Sequence, residues 1–182
     1  MNKTAKRFLI VGIILIMISL LLGVYFEWEE IYSKRKSNEA MKIILEEIKE
    51  NKTNDTIDID GTQYIGYLSI PSLELNLPVT KEYSYASLNK VPSVYYGSIL
   101  NNNLVICGHS YKSHFGNLYK LKKGDTITIT DVNNNKYTYQ VELIETLSST
   151  DVKEMIESDF DLTLYTCTKD GLKRVTVRCN KI

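Results

Sequence analysis

The 182-residue chain carries 22 basic and 22 acidic side chains, so its formal net charge is zero. Lys3, Lys6 and Arg7 are the only charged residues before Glu27, which leaves the remainder acidic by three. That balance excludes the basic face a nucleic-acid binder needs, and the length suits one domain plus appendages.

Residues 8–26 read FLIVGIILIMISLLLGVYF, 19 uncharged and mostly apolar residues. That is about the length of a bilayer-spanning helix. Basic residues precede it and Glu27, Glu29 and Glu30 follow. The positive-inside rule then keeps residues 1–7 in the cytoplasm and exports the rest. A cleaved signal peptide would have a shorter apolar core and a small-residue cleavage site. Val24-Tyr25-Phe26-Glu27-Trp28 is a poor one, so an uncleaved single-pass anchor is expected, with Tyr25, Phe26 and Trp28 at its outer interface.

Residues 27–50 carry a helical pattern, with Met41, Ile44, Leu45 and Ile48 on one face at three- and four-residue steps. Residues 51–60 (NKTNDTIDID) are polar and turn-prone and read as a linker. Residues 27–61 therefore form a juxtamembrane helix and linker, and residues 62–182 an exported domain. Within it the pattern is mainly strand. Residues 64–70 run to Pro71, Leu73 to Val79 alternate until Pro78 interrupts, and Leu104 to Cys107 form a short apolar run. Residues 126–130 and 136–147 flank a hairpin signal at Asp131-Val-Asn-Asn-Asn135. Residues 151–158 suit a short helix with Asp151 as N-cap and Glu154 completing a capping box. Residues 162–167 and 173–179 are the last two strands. Many short strands separated by turn signals imply a closed barrel or a sandwich.

Three cysteines lie outside the apolar segment: Cys107, Cys167 and Cys179. An odd number in an exported domain leaves at least one thiol unpaired. Cys167 ends the strand LTLYTC. Asp170-Gly171 is a two-residue hairpin signal, and a turn there opposes Cys167 to Arg174. Directly opposed residues hold their Cβ atoms about 4.5–5.5 Å apart on one face. A guanidinium at that distance favours a thiolate and can donate to an oxyanion. Arg178 shares the face but lies roughly 13 Å further along. An acyl-transfer cysteine also needs a proton partner, and histidine titrates in the right range. The chain has two histidines. His109 follows the apolar run at a glycine, and His114 sits five residues later in a polar loop.

These residues resemble a family. Thr163-Leu164-Tyr165-Thr166-Cys167 is similar to the TLxTC signature of sortases, the cysteine transpeptidases of Gram-positive cell surfaces. Ile65-Gly66-Tyr67-Leu68-Ser69-Ile70-Pro71 with Leu75-Asn76-Leu77-Pro78-Val79 resembles their early strands. Cys107-Gly108-His109-Ser110 resembles the segment of their histidine, and residues 173–178 their arginine strand. The resemblance covers residues 64–178.

It implies a mainly β fold, a closed eight-stranded barrel with short helices behind an N-terminal transmembrane helix. It implies Cys167 as nucleophile, His109 as proton donor, Arg174 as oxyanion partner and backbone near Thr166 in support. The implied substrates are surface proteins bearing an LPxTG-like sorting signal, cut between Thr and Gly. The implied acceptor is a peptidoglycan-precursor amine. No cofactor is implied. Calcium orders a loop in some relatives, but Glu82, Glu154, Glu157 and Asp159 are scattered. A lid motif of the Asp-Pro-aromatic type and a second membrane helix are not found, which points to a housekeeping-like or class D-like member. Cys107 and Cys179 are expected to be buried space-fillers. Three rival readings use the same residues differently: a Cys-His peptidase with water as acceptor, a tethered wall- or peptide-binding β-domain, and a redox protein. The last normally wants a C-x-x-C spacing, which is absent here.

Overall fold

A computed structural model describes residues 2–50 and 55–182. The first helix, α1, spans Lys3–Lys49. The chain divides into two compact units, Met1–Tyr32 and Ser33–Ile182. The first unit is helical, long and apolar enough to cross a membrane, and its Phe, Leu, Ile and Val side chains are exposed. Tyr25, Trp28 and Tyr32 form a run of ring contacts along it, with Trp28 and Tyr32 stacked at 5.7 Å.

The second unit contains nine strands among its described residues: β1 (Ile57–Ile59), β2 (Thr62–Ile70), β3 (Leu75–Thr80), β4 (Ser93–Tyr96), β5 (Leu104–Cys107), β6 (Thr126–Asp131), β7 (Lys136–Ser148), β8 (Leu162–Cys167) and β9 (Lys173–Lys181). Their order is β1-β2-β3-β4-β5-β8-β9-β7-β6, and β6 pairs back onto β2. Strands β2 to β9 thus close an eight-stranded barrel. Two short helices, α2 (Tyr85–Leu88) and α3 (Val152–Ile156), sit in its connections.

Alternation sets the inside of the barrel, because successive strand side chains face opposite ways. Leu68, Ile70, Leu104, Ile106, Leu162 and Leu164 point inward and are almost fully buried. Phe115 and Leu118, from the β5–β6 connection, join the same core. Closure needs a bend in β2, supplied at the register shift between Tyr64 and Gly66. Gly66 has φ +133°, and a Cβ there would lie 2.0 Å from the Thr130 carbonyl oxygen. Only glycine fits that approach of β2 to β6.

The structure differs from the sequence reading in four places. Residues 51–54 lie outside the described residues, but Ile57–Ile59 of the expected linker form β1, antiparallel to β2. Ile57 is buried with Ile44, Ile48, Tyr64 and Val91, so this short apolar pair extends a core that composition alone reads as polar. Pro78 lies within β3 rather than ending it. The β3–β4 ladder is a single pair, Thr80↔Ser93, so that edge asks no hydrogen bond of Pro78. The buried face of α1 in the second unit is Ser33, Ser37, Ala40, Ile44 and Ile48, while Leu45 is exposed. Small residues permit close approach there, and hydrophobicity does not flag them. Finally, the capping box at Asp151 does not form: its Oδ2 accepts from the Ser148 amide at 2.8 Å, so the side chain closes the preceding turn instead.

Arg178 is 3% exposed and explains how α3 is held. Its Nε donates to Glu145 Oε1 at 2.8 Å, Nη2 to the Glu154 carbonyl at 2.7 Å, and Nη1 to the Met155 carbonyl and Thr163 Oγ1. A buried charge so fully satisfied is costly to delete, because its partners are left unpaired. Arg178→Met is expected to lower unfolding stability by about 3 kcal/mol, measured by urea denaturation of the full chain in detergent. Arg178→Lys should recover only part of that, lacking the planar fork.

Candidate active site

Strand β8 lies between β5 and β9, and its two registers place the site. Its pairing with β5 is parallel, with partners offset by 58 residues from Leu104↔Leu162 to Cys107↔Tyr165. Its pairing with β9 is antiparallel, from Leu162↔Cys179 to Cys167↔Arg174. The outward face of the three strands therefore carries successive rows. The first is Val105, Thr163 and Arg178; the second is Cys107, Tyr165 and Thr176. Carrying the same offset two residues further makes His109, Cys167 and Arg174 the third row. Neighbouring strands lie about 4.8 Å apart, so the backbone places Arg174 directly beside Cys167, and His109 follows just past the end of β5 on the other side.

The β5 ladder ends at Cys107, but the register is held beyond it. The Gly108 amide donates to the Tyr165 carbonyl at 3.1 Å, and Thr166 Oγ1 donates to the Gly108 carbonyl at 2.8 Å. Gly108 is required because a Cβ would lie 2.5 Å from the Phe115 ring. The Phe115 amide in turn donates to the His109 carbonyl at 3.1 Å. His109 thus leaves the strand from a point fixed on both sides.

The hairpin between β8 and β9 keeps the expected register with a different turn. The Gly171 amide donates to the Thr168 carbonyl at 2.8 Å, and Gly171 has φ +74°. Thr168 Oγ1 donates to Asp170 Oδ1 and accepts from the Lys173 amide, and Asp170 Oδ1 accepts from the Leu172 amide. The turn is centred one residue earlier than Asp170-Gly171, with Gly171 following it in the left-handed region. The loop remains symmetric about the same point, so Cys167↔Arg174 survives.

Cys167 is exposed, His109 and Arg174 are half-buried, and Cys107 and Cys179 are buried free thiols. Burial pushes both buried thiols up to about 12. Arg174 Nη1 donates to the carbonyls of Gly171 and Lys173 at 3.1 and 3.0 Å. The structure turns the Thr166 hydroxyl toward Gly108, so that residue acts through the strand that carries His109. Arg178 belongs to the buried ion pair and not to this row.

Sequence reasoning missed several aromatic residues. The Tyr111 ring stacks on the His109 imidazole at 3.9 Å and 10°. Tyr83, Tyr95 and Tyr165 meet edge to face, and with Val152, Met155 and Arg174 they line a cavity of about 310 Å³. Tyr165 lies inside the TLxTC match and could have been found by face-counting along β8. Tyr83 and Tyr95 come from distant segments and carry no local signal.

His114 is fully buried, and its Nε2 bonds Ser33 Oγ at 3.2 Å. Burial, and secondarily the His109 charge, lower its pKa from 6.5 to about 4.

An eight-stranded barrel with an exposed thiol at the end of β8, paired across the sheet with an arginine, defines a cysteine-bearing barrel fold. Residues 68–182 match the family model described as the sortase domain. The chain belongs to the sortase family. It is 34% identical over 128 residues to sortase A of Bacillus anthracis, covering 65% of this chain and 60% of that protein. It is 31% identical over 116 residues to sortase A of Listeria monocytogenes, covering 60% and 52%. The chain thus matches just over half the length of these curated relatives. The crystal structure of sortase C1 from Streptococcus agalactiae superposes with a TM-score of 0.60 at 31% identity, covering 74% of this chain and 75% of that one. Clostridium perfringens sortase C, solved with the C-terminal cell wall sorting motif, shares the fold with a TM-score of 0.58 at 24% identity, covering 79% and 90%.

The buried His114 makes stability pH-dependent. Its folded pKa is lowered, so the unfolded state binds a proton first as pH falls through 6.5. Stability is full above that value and is lost toward pH 4. The expected loss between pH 7.5 and 4.5 is about 2.5 kcal/mol. Urea denaturation of the full chain at the two pH values, compared with His114→Gln, isolates it: the variant should lack this share of the acid loss.

Proposed function

We propose that this chain is a membrane-anchored cysteine transpeptidase that cuts LPxTG-like sorting signals and passes the acyl group to a cell-wall amine. The single observation that carries this reading is the Cys167↔Arg174 pair on β8 and β9, and the β5–β8 register supports it by running toward His109 just past the end of β5. The family match supports it, as does the Clostridium perfringens sortase C structure solved with the C-terminal cell wall sorting motif. The exposed apolar helix before Ser33 supports the anchor, with residues 1–7 in the cytoplasm and the barrel outside.

Each residue has a defined share of the chemistry. The Cys167 sulfur attacks the threonine carbonyl carbon, forming the C–S bond while the carbonyl electrons move to oxygen. The Arg174 guanidinium has five N–H donors, and it stabilises that oxyanion as charge develops. Only Nη1 is engaged by the hairpin carbonyls, so the remainder of the fork serves the substrate. Collapse of the adduct breaks the C–N bond, and His109 gives its proton to the departing glycine amine. The resulting thioester is attacked by a second amine, which gives its proton to the now neutral His109 as the C–S bond breaks, so that the thiolate and the imidazolium are restored and the new amide forms. The tyrosine-lined cavity beside Arg174, whose wall also includes Ser148, Ser149 and Asp151, offers mixed aromatic and polar surface for the residues before the scissile bond.

The test is mass spectrometry of the full chain in detergent with an LPxTG-like peptide library, with and without an added amine. The expected result is an acyl adduct on Cys167 that the amine discharges as a new amide product. Cys167→Ala should form no adduct, and His109→Ala and Arg174→Lys should each lose roughly 100-fold or more in turnover. Discharge by water alone at an unchanged rate would instead make the protein a peptidase. No adduct from any peptide would remove the enzyme reading.

A further inference from the structure

The loop carrying His109 is built more tightly than a donor on a surface loop requires. The Tyr111 carbonyl accepts the amides of His114 and Gly116 at 3.0 and 2.9 Å. A Cβ at Gly116 would lie 2.4 Å from the Ser110 carbonyl oxygen. The loop is therefore folded onto itself, with no room for a side chain at its closing residue. Its rings are arranged as a series. His109 stacks on Tyr111 at 3.9 Å, and Tyr111 meets His114 at 5.8 Å and 56°. The far member, His114, is completely buried and ends on Ser33 Oγ.

Ser33 is the unexpected partner. It is fully buried although it is a serine on a helix, and it begins the small-residue face of Ser33, Ser37 and Ala40. That face lets the helix approach the barrel closely enough for a hydroxyl to reach the histidine loop, 81 residues away in sequence. The four side chains make one connected path from α1 to the half-buried imidazole of the proposed proton donor.

We propose that Ser33, His114 and Tyr111 are positioning residues that fix the plane of the His109 imidazole against Cys167, so that α1 sets the reactive geometry. This rests on the transpeptidase reading for its kinetic consequence, though not for the structural coupling itself. Pinning the His109 backbone does not by itself fix the plane of its ring. The Tyr111 face at stacking distance limits that rotation, and the tilted His114 ring limits Tyr111. Ser33 holds His114 at Nε2. Misplacing a reacting group by about 1 Å can cost about 100-fold in rate.

The experiment uses the full chain in detergent micelles with 15N-labelled histidine, which gives two imidazole spin systems because the chain has two histidines. A ring stacked on His109 shifts its carbon-bound protons upfield. Tyr111→Leu should abolish that shift and lower kcat for transpeptidation about 100-fold, and Tyr111→Phe should restore both. Ser33→Ala, a mild change, should move the His109 signals at least halfway toward those of Tyr111→Leu. It should lower kcat about tenfold with KM unchanged, while the folded fraction stays at the wild-type level. Wild-type His109 signals in Ser33→Ala overturn the proposal, and so do moved signals with unchanged kcat. If the wild-type chain forms no adduct on Cys167 while Ser33→Ala still moves His109, the coupling stands and the transpeptidase reading falls.

Discussion

The structure depends on the double pairing of β8. A strand's side chains alternate, so a one-residue slip would turn Cys167 inward and Leu162 and Leu164 outward. Those two leucines are fully buried in the barrel core, and their burial forbids the slip. A two-residue slip would preserve the faces and is excluded by other means. On the β9 side, the Thr168 and Asp170 side chains occupy the amides of Leu172 and Lys173. On the β5 side, Gly108 is tied to Tyr165 and Thr166. Hydrophobic burial chooses the face, and polar bonds at the strand end choose the row.

That division of labour gives two arginines on one strand opposite duties. Arg174 and Arg178 face the same way, four residues apart on β9. Arg178 lies over the body of the sheet, where β7 and α3 cover it, so it must be neutralised by Glu145 and by helix carbonyls. Arg174 lies one row past the aromatic layer of Tyr165, where β8 ends. Among the described residues its acceptors are two carbonyls of its own hairpin. Composition cannot separate the two residues. Distance from the sheet edge does, because it decides how much solvent and protein each guanidinium meets.

The same logic marks what was legible in the sequence. Local signals carried far: the alternation of β8, the turn at Asp170-Gly171 and the constant pair arithmetic put Arg174 opposite Cys167, and the structure has that pair although the turn type differs. The parallel neighbour of β8 was not readable, since no local rule pairs residues 58 apart, and His109 was marked by its place after the apolar run at a glycine and by its motif. The close helix face was invisible for a related reason. Ser33, Ser37 and Ala40 are buried because they are small, whereas the apolar periodicity marks Met41, Ile44, Leu45 and Ile48, of which Ile44 and Ile48 are buried and Leu45 is exposed. Asp151 shows the limit of motif reading: its spacing suits a capping box, yet an adjacent turn offered its carboxylate a nearer amide.

The three cysteines resolve into one exposed thiol and two silent ones without any disulfide. Cys179 faces the barrel core beside Leu162. Cys107 shares the outer face with Cys167 but stands one row back, where its thiol donates to the Ser93 carbonyl and lies against Tyr165. Losing water raises both thiols to about 12, so neither ionises at neutral pH and neither competes as a nucleophile. A single row of sheet therefore separates a buried, un-ionised cysteine from an exposed one. The separation comes from where β8 stops: Tyr165 covers the thiol behind it, and the strand ends before any residue covers Cys167.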